Sequence, residues 1–134
     1  MSNELREELD AWIDHNWDPD LTVREWWQRL SSAGFSNPGL AEPFGHDWGR
    51  AETRVLAAAL RERRAIGSPA GLGMLLAAPT ILVHGNESQI ERYVPRILDG
   101  TDAWCQLFSE PGAGSDLAGL QTKAVRDGDE WVIS

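Results

Sequence analysis

Hydrophobic residues recur at helical spacing through the first hundred residues. Leu5, Leu9, Ile13 and Trp17 predict an amphipathic helix that ends near Pro19. Thr22-x-x-Glu25 is a capping box that predicts the start of a second helix, closed by Gly34. The first third of the chain is therefore predicted to be helical.

Three further helices are predicted after a loop over residues 35–49, which is rich in glycine and proline. The first runs from Arg50 to Ile66. The second is an apolar helix over residues 71–83, kinked at Pro79 and ended by Gly85. Asn86-x-x-Gln89 predicts the start of the third, which ends at Gly100.

The hydrophobic period then changes from that of a helix to that of strands. Residues 103–109 predict a buried strand, and residues 122–126 and 130–133 predict two more. Asp127-Gly128-Asp129 predicts the hairpin turn between the last two. We expect a mainly α chain in which a helical domain over residues 1–101 is followed by the first strands of a β domain over residues 102–134.

Residues 108–119 form a glycine-rich turn with a potential for binding chemistry. Pro111 fixes its own φ, and Gly112 and Gly114 permit positive φ. Successive N–H groups in such a turn can converge on an anion, and Ser109 and Ser115 add hydroxyl groups. The turn lacks the lysine of a nucleotide P-loop. On these residues alone, an anion site and an ordinary turn both remain open.

The sequence around this turn resembles the acyl-CoA dehydrogenase family. The similarity spans most of the chain and is strong from about Pro79 onward, through residues 104–124 and 127–133. It includes the helical lead-in from Ala78-Pro79 to Gly100, and Trp27-x-x-Leu30 and Gly34 further upstream. It implies an N-terminal all-α acyl-CoA dehydrogenase-like helical domain followed by the first strands of an incomplete β-barrel. Family members are about three times longer, which predicts that this chain is the N-terminal portion of a longer polypeptide.

The resemblance also implies a function: FAD-dependent oxidation of an acyl-CoA to a trans-2-enoyl-CoA, with an electron-transfer flavoprotein as electron acceptor. It implies that four consecutive residues line the flavin ring, that Gly114 and Ser115 contact the pyrophosphate, and that Ser115 also touches the substrate. The four ring-lining residues are Gln106, Leu107, Phe108 and Ser109. The catalytic glutamate is expected beyond Ser134. The full-length protein is expected to form a homo- or hetero-oligomer. Around Gly45–Gly49 the sequence departs from the family pattern.

Two alternatives stay open. The same fold supports flavin-dependent monooxygenases and oxidases, because fold does not fix function. The chain is also compatible with a non-catalytic partner subunit of a longer homologue.

Composition excludes several classes of protein. The net charge of −9 argues against nucleic-acid binding. No apolar run approaches the roughly 20 residues of a membrane span, and the N-terminal residues do not resemble a secretory signal. The single cysteine, Cys105, predicts a small buried side chain and, with the other features, a cytoplasmic protein.

Other candidate residues are best explained structurally. The helical tryptophans, including Trp26 and Trp27, are predicted to lie in the core, whereas Trp104 has a stronger case for contacting the flavin. Glu110 is interpreted as structural and His46-Asp47 as a surface pair in a loop. The arginines between Arg50 and Arg64 are interpreted as a solvated helix face, with a partner or CoA-phosphate surface as the alternative.

Overall fold

The computed structural model describes residues 2–134, which divide into two compact units at Trp104 and Cys105. This division falls three residues after the predicted domain boundary, which stays a prediction. Within the described residues, the first unit contains five α-helices: α1 Ser2–Asn16, α2 Val23–Ser32, α3 Arg50–Glu62, α4 Ala78–His84 and α5 Glu87–Leu98. The mainly α class is confirmed.

Capping boxes begin α2 and α5, as the sequence predicts. The Thr22 hydroxyl accepts a hydrogen bond from the Glu25 N–H at 3.3 Å, and the Glu25 carboxylate accepts one from the Thr22 N–H at 2.9 Å. Asn86 and Gln89 exchange the same pair of bonds, both at 2.9 Å. Each box satisfies two N–H groups that would otherwise lack partners at the helix end.

Helix α3 ends at Glu62, so the prediction that it continues to Ile66 is wrong. Arg64 adopts a left-handed backbone with φ of 54°, and the Ala65 N–H donates to the Leu60 carbonyl at 2.9 Å. This reversal ends the helix four residues before the predicted end at Ile66. Beyond the helix end, the carbonyls of Ile66 and Gly67 accept hydrogen bonds from the indole N–H groups of Trp26 and Trp27 in α2.

The predicted apolar helix begins at Gly73 rather than at residue 71, where Gly71 has φ of 111°. Its first turn, Gly73–Ala77, is a π-helix that leads directly into α4. The Ala78 N–H donates to the Gly73 carbonyl, five residues back. Because Pro79 has no N–H to donate to the residue four positions earlier, the wider turn accommodates it. The predicted irregularity at Pro79 thus takes the form of a π turn.

The second unit contains a two-stranded antiparallel hairpin, β1 Ala124–Asp127 and β2 Glu130–Ile133. Asp127 pairs with Glu130, and Gly128 takes φ of 61° in the two-residue turn. The predicted hairpin is therefore confirmed, with its first strand shifted by up to two residues.

The predicted buried strand over residues 103–109 is wrong. Within residues 2–134 this segment pairs with no strand, and a strand requires a neighbour to satisfy its backbone groups. Leu107 is 90% exposed, and Cys105 is exposed rather than buried. Apolar composition alone did not distinguish a buried strand from an exposed irregular segment.

Two hydrophobic clusters form the core of the first unit. One joins α1, α2 and α3 through Leu9, Ile13, Trp26, Leu30, Leu56, Ala59 and Leu60. The other joins the π turn, α4 and α5 through Met74, Ala78, Val94, Ile97 and Leu98. Trp12, Trp17 and Trp27 pack against the first cluster, so the core role predicted for the helical tryptophans is confirmed. Trp104 packs against the second cluster, with its ring 5.7 Å from that of Tyr93.

An ion-pair network ties α1 to the end of α3. Arg63 contacts Asp10 at 2.7 Å and Asp14 at 3.0 Å, and Arg6 pairs with Asp10 and Glu62. The prediction of a solvated arginine face is therefore wrong for Arg63. It holds for the exposed side chains of Arg50, Arg54, Arg61 and Arg64.

We expect Gly100→Ala to destabilise the chain by at least about 2 kcal/mol. Gly100 has φ of 71°, and an added Cβ would lie 2.3 Å from Cε3 of Trp27. Gly67→Ala is the matched control, because a Cβ there meets nothing within 4 Å. Chemical denaturation of both variants measures the difference. Equal stability of the two would contradict the packing described at Gly100.

We also expect the free energy of unfolding to decrease in acid, because protonation of the carboxylates breaks the ion pairs between α1 and the end of α3. The Arg63 guanidinium lowers the pKa of Asp14 below 3.8, and Arg6 lowers that of Glu62 below 4.5. A carboxylate whose pKa is lower in the folded state stabilises the fold at any pH above its unfolded-state pKa. This contribution disappears as the pH falls through its folded-state pKa. Unfolding free energy should therefore decrease below about pH 4.5, and Arg63→Gln should flatten that decrease. Arg61→Gln, outside the network, is the control; an identical pH profile for all three chains would refute the coupling.

Candidate functional site

The glycine-rich segment contains a closed two-residue turn. The Glu110 N–H donates to the Ala113 carbonyl at 2.9 Å, and the Ala113 N–H donates back to Glu110 at 3.1 Å. Pro111 and Gly112 lie at the tip, where the fixed φ of proline favours a turn. Ala113 is buried at the base of the turn. The sequence thus builds a rigid reversal directly before Gly114 and Ser115.

Gly112 and Gly114 do not adopt positive φ, so neither uses the conformational freedom that the sequence permits. An added Cβ at either position would meet nothing within 4 Å. The packing of this chain therefore does not require glycine at these positions. What glycine provides is an uncovered backbone that a ligand can approach closely.

Hydrogen-bond donors remain available around the turn. Within residues 2–134, the N–H groups of Gly112, Gly114 and Ser115 donate to no protein acceptor. Ser109 and Ser115 are exposed, and in the same range their hydroxyl groups have no protein partner. Backbone N–H and hydroxyl groups of this kind can bind phosphate oxygens without a positively charged side chain.

Glu110 holds the two ends of the loop together. Its carboxylate accepts hydrogen bonds from the N–H groups of Gln121 at 3.0 Å and Thr122 at 2.7 Å. Hydrogen bonds from Thr122 and from the Gln121 backbone keep the pKa of Glu110 below its usual range. The carboxylate is thus ionised and engaged in the loop, which agrees with the structural role expected from the sequence.

The four residues expected to line a flavin ring precede the turn in an exposed segment. Gln106 and Ser109 are exposed, Leu107 is 90% exposed and Phe108 is 61% exposed. Chain continuity alone brings them near Gly114 and Ser115. Adjacent exposed large apolar residues indicate a surface that another molecule covers. The cofactor and substrate roles of the six residues stay predictions.

The structure corrects the interpretation of His46. Its side chain is half-buried, Nε2 lies 2.8 Å from the Ala33 carbonyl oxygen, and the ring stacks on Trp48 at 4.7 Å. Only Asp47 is exposed, so the two residues do not form a surface pair. His46 organises the loop at the position where the sequence departs from the family pattern.

One further cleft, of about 420 Å³, lies beside α3 and was not recognised from sequence. Arg61 and Arg64 line it. The left-handed conformation of Arg64, which shapes one end, gives no signal in composition or periodicity. No group of three potential metal-ligating side chains occurs among the residues described. Across residues 2–134, every helix is too short or too polar to span a bilayer.

Comparison with protein families places this geometry in context. The profile described as "Acyl-CoA dehydrogenase, N-terminal domain" matches residues 1–101, three quarters of the chain. This chain belongs to the acyl-CoA dehydrogenase family. The resemblance to this family that the sequence indicates is therefore confirmed.

Two similar acyl-CoA dehydrogenases occur in Mycobacterium tuberculosis. FadE34 is 44% identical over 105 residues, which cover 78% of this chain and 15% of FadE34. IpdE1 is 42% identical over 115 residues, which cover 83% of this chain and 29% of IpdE1. The chain thus spans less than a third of the length of either relative.

Two solved structures share the fold. The ChsE4-ChsE5 complex from Mycobacterium tuberculosis matches with a TM-score of 0.65 at 30% identity, over 98% of this chain and 36% of that chain. The Tcur3481-Tcur3483 steroid ACAD matches with a TM-score of 0.64 at 32% identity, over 98% and 37%.

We expect Glu110→Gln to loosen the loop between residues 110 and 122. The neutral amide has one acceptor oxygen and no charge, so the N–H groups of Gln121 and Thr122 lose charge-assisted hydrogen bonds. Amide exchange at these two residues should accelerate by about tenfold, as measured by NMR near pH 6. Glu130→Gln, in the hairpin, should leave both rates unchanged. Unaltered exchange in Glu110→Gln would exclude the proposed anchoring.

Proposed function

We propose that this chain supplies one side of the flavin site in an FAD-dependent acyl-CoA dehydrogenase that converts an acyl-CoA to a trans-2-enoyl-CoA. The observation that carries the proposal is the closed turn at residues 110–113, after which the N–H groups of Gly114 and Ser115 and the glycine backbone remain uncovered in a member of this family. The hydride that leaves the β-carbon of the substrate would require an acceptor, and bound FAD would supply that chemistry.

The turn fits the pyrophosphate of such a cofactor. The N–H groups of Gly114 and Ser115, together with the Ser115 hydroxyl, offer three neutral donors within two residues. Glycine at position 114 keeps side-chain bulk away from the phosphate oxygens. The nearby Glu110 carboxylate is engaged by Gln121 and Thr122, so its negative charge is partly satisfied within the loop.

The segment before the turn fits an aromatic ring system. The exposed side chains of Leu107 and Phe108 provide an apolar surface of the kind that a buried isoalloxazine requires. Gln106 and Ser109 add polar groups beside it, and we assign the Ser109 hydroxyl to the pyrimidine end of the ring. These side chains would orient the cofactor and exclude water from one of its faces.

We assign the wall of the acyl pocket to the first unit. Four large apolar residues are exposed in and directly before the π turn and α4: Leu72, Leu75, Leu76 and Val83. Ser115 is assigned a second contact, to the substrate itself. No residue of this chain is proposed as the base that removes the α-proton, because Glu110 is engaged in the loop. That role is left to a glutamate beyond Ser134, and an electron-transfer flavoprotein is the proposed electron acceptor.

A partner-subunit role is the second candidate function. The related structures carry paired names, ChsE4-ChsE5 and Tcur3481-Tcur3483, and the first is described as a complex. The second unit of this chain also exposes Leu117, Val125, Trp131, Val132 and Ile133, an apolar surface that a partner would cover. We therefore propose hetero-oligomeric assembly with a longer homologue.

Rapid reaction of reduced flavin with oxygen in that assembly would instead favour the oxidase or monooxygenase chemistry.

We expect the chain to bind FAD through the turn. Gly114→Val keeps the backbone N–H but places a branched side chain where the phosphate would approach, and should weaken binding by at least about tenfold. Ser115→Ala should weaken it by about threefold to tenfold through loss of one hydroxyl. Titration with FAD, followed by flavin fluorescence and by the amide resonances of residues 106–119, measures both effects.

Gly67→Ala is the matched control for Gly114→Val, since Gly67 is exposed, has open space around it and lies outside the turn. It should bind FAD as the wild-type chain does. Saturable FAD binding that Gly114→Val and Ser115→Ala leave unchanged would refute the proposed site. So would the absence of any FAD-induced change in residues 106–119.

A further inference from the structure

The cleft beside α3 is formed entirely by residues of the first unit. It has a volume of about 420 Å³ and lies between α3, the loop that begins at Phe35, and the segment after Arg64. Most of its surface is apolar, with Phe35, Pro38, Leu56 and Leu60 among the lining residues. The volume falls in the range of small-molecule sites in proteins.

Both walls of the cleft are held in place by contacts elsewhere in the unit. Phe35 packs against Trp12 at 4.8 Å and Trp48 at 5.7 Å between ring centroids. On the other side, Trp26 Nε1 donates to the Ile66 carbonyl at 2.6 Å, and Trp27 Nε1 donates to the Gly67 carbonyl at 2.8 Å. The cleft is therefore formed before a ligand binds, and the free-energy cost of ordering its walls on binding is small.

Two arginines line this apolar cleft. Arg61 and Arg64 are exposed, and within residues 2–134 neither has a carboxylate within 4 Å. By contrast, Arg63 between them is paired with Asp10 and Asp14. In a chain of net charge −9, two uncommitted arginines beside an apolar surface form a local site of positive charge.

The conformation of Arg64 strengthens this argument. Its φ of 54° is a left-handed conformation that costs a non-glycine residue about 1 kcal/mol or more. Glycine would end α3 at lower cost, and asparagine is the usual second choice. The lowest backbone cost would therefore not select arginine here; its positive charge suits the C-terminal end of α3 and is also available to a ligand in the cleft.

We propose that this cleft binds a small molecule with an apolar body and an anionic head group, a carboxylate or a phosphate. The apolar body lies against Phe35, Leu56 and Leu60, and the head group pairs with Arg61 and Arg64. The site uses none of residues 106–119, so it is separate from the proposed flavin function and does not depend on it. Arginine binds either anion through parallel N–H donors, and the apolar lining distinguishes the site from a general anion surface.

Three matched probes test the proposal by NMR titration of the 134-residue chain: naphthalene-2-carboxylate, 2-naphthyl phosphate and neutral 2-naphthamide. We expect at least one of the two anions to bind with a Kd of about 1 mM or lower and to shift the amide resonances of Phe35 and Ala57. The neutral amide should bind at least about fivefold more weakly. The tighter anion identifies the preferred head group.

Variants separate this cleft from other binding surfaces. Arg61→Gln combined with Arg64→Gln should weaken anion binding by at least about fivefold. Arg50→Gln combined with Arg54→Gln removes the same charge from α3 outside the cleft lining and should leave affinity unchanged. Ala57→Trp should fill the cleft and abolish binding while both arginines remain. Thr53→Phe provides a second filling variant if Ala57→Trp unfolds.

Equal affinity for the anions and for the neutral amide would overturn the proposal. Equal losses in the two arginine pairs would also overturn it, because they would indicate non-specific charge attraction. Binding that survives a folded filling variant would place the ligand elsewhere.

Discussion

The hydrogen bonds from the indoles of Trp26 and Trp27 hold the connection between α3 and the π turn against α2, and the packing of the first unit depends on this connection. These adjacent residues donate to the carbonyls of Ile66 and Gly67, forty residues later in the chain. Trp26 is buried, so the hydrogen bond to the Ile66 carbonyl satisfies an indole N–H that would otherwise lack a partner in the core, and both bonds hold the segment after α3 against α2. The chain then continues to the π turn and the second cluster. Trp26 and Trp27 therefore join the first hydrophobic cluster to the chain segment that leads from it to the second cluster.

The second unit is organised by hydrogen bonds rather than by a core. The Glu110 carboxylate and the reciprocal bonds between Glu110 and Ala113 close its loop, whereas most of its large apolar side chains are exposed. A two-stranded hairpin is at most marginally stable in water on its own. Its order therefore depends on further contacts, and the exposed apolar side chains of β2 offer the surface for them.

Local chemistry was predictable from sequence, but the effects of neighbouring segments were not. Each capping box needs only two side chains three residues apart, so Thr22 with Glu25 and Asn86 with Gln89 identified their helices. The end of α3 depends on Arg64 adopting an unfavourable conformation, which composition does not reveal. For Leu107 and Phe108, apolar composition predicted burial that the fold does not supply. Their sequence pattern identified the candidate site, but pattern alone could not give the exposure of the site or the φ of its glycines.

The two anion sites proposed for this chain use different donor groups, and this difference separates their proposed roles. The turn at residues 110–115 offers neutral backbone donors that carry no net charge, so they retain their strength when a bulky cofactor excludes water. The cleft offers flexible, exposed guanidinium groups beside an apolar floor, whose attraction salt weakens. The turn therefore suits a tightly held group that remains through many reactions. The cleft suits a ligand that exchanges with solvent and whose occupancy follows its concentration.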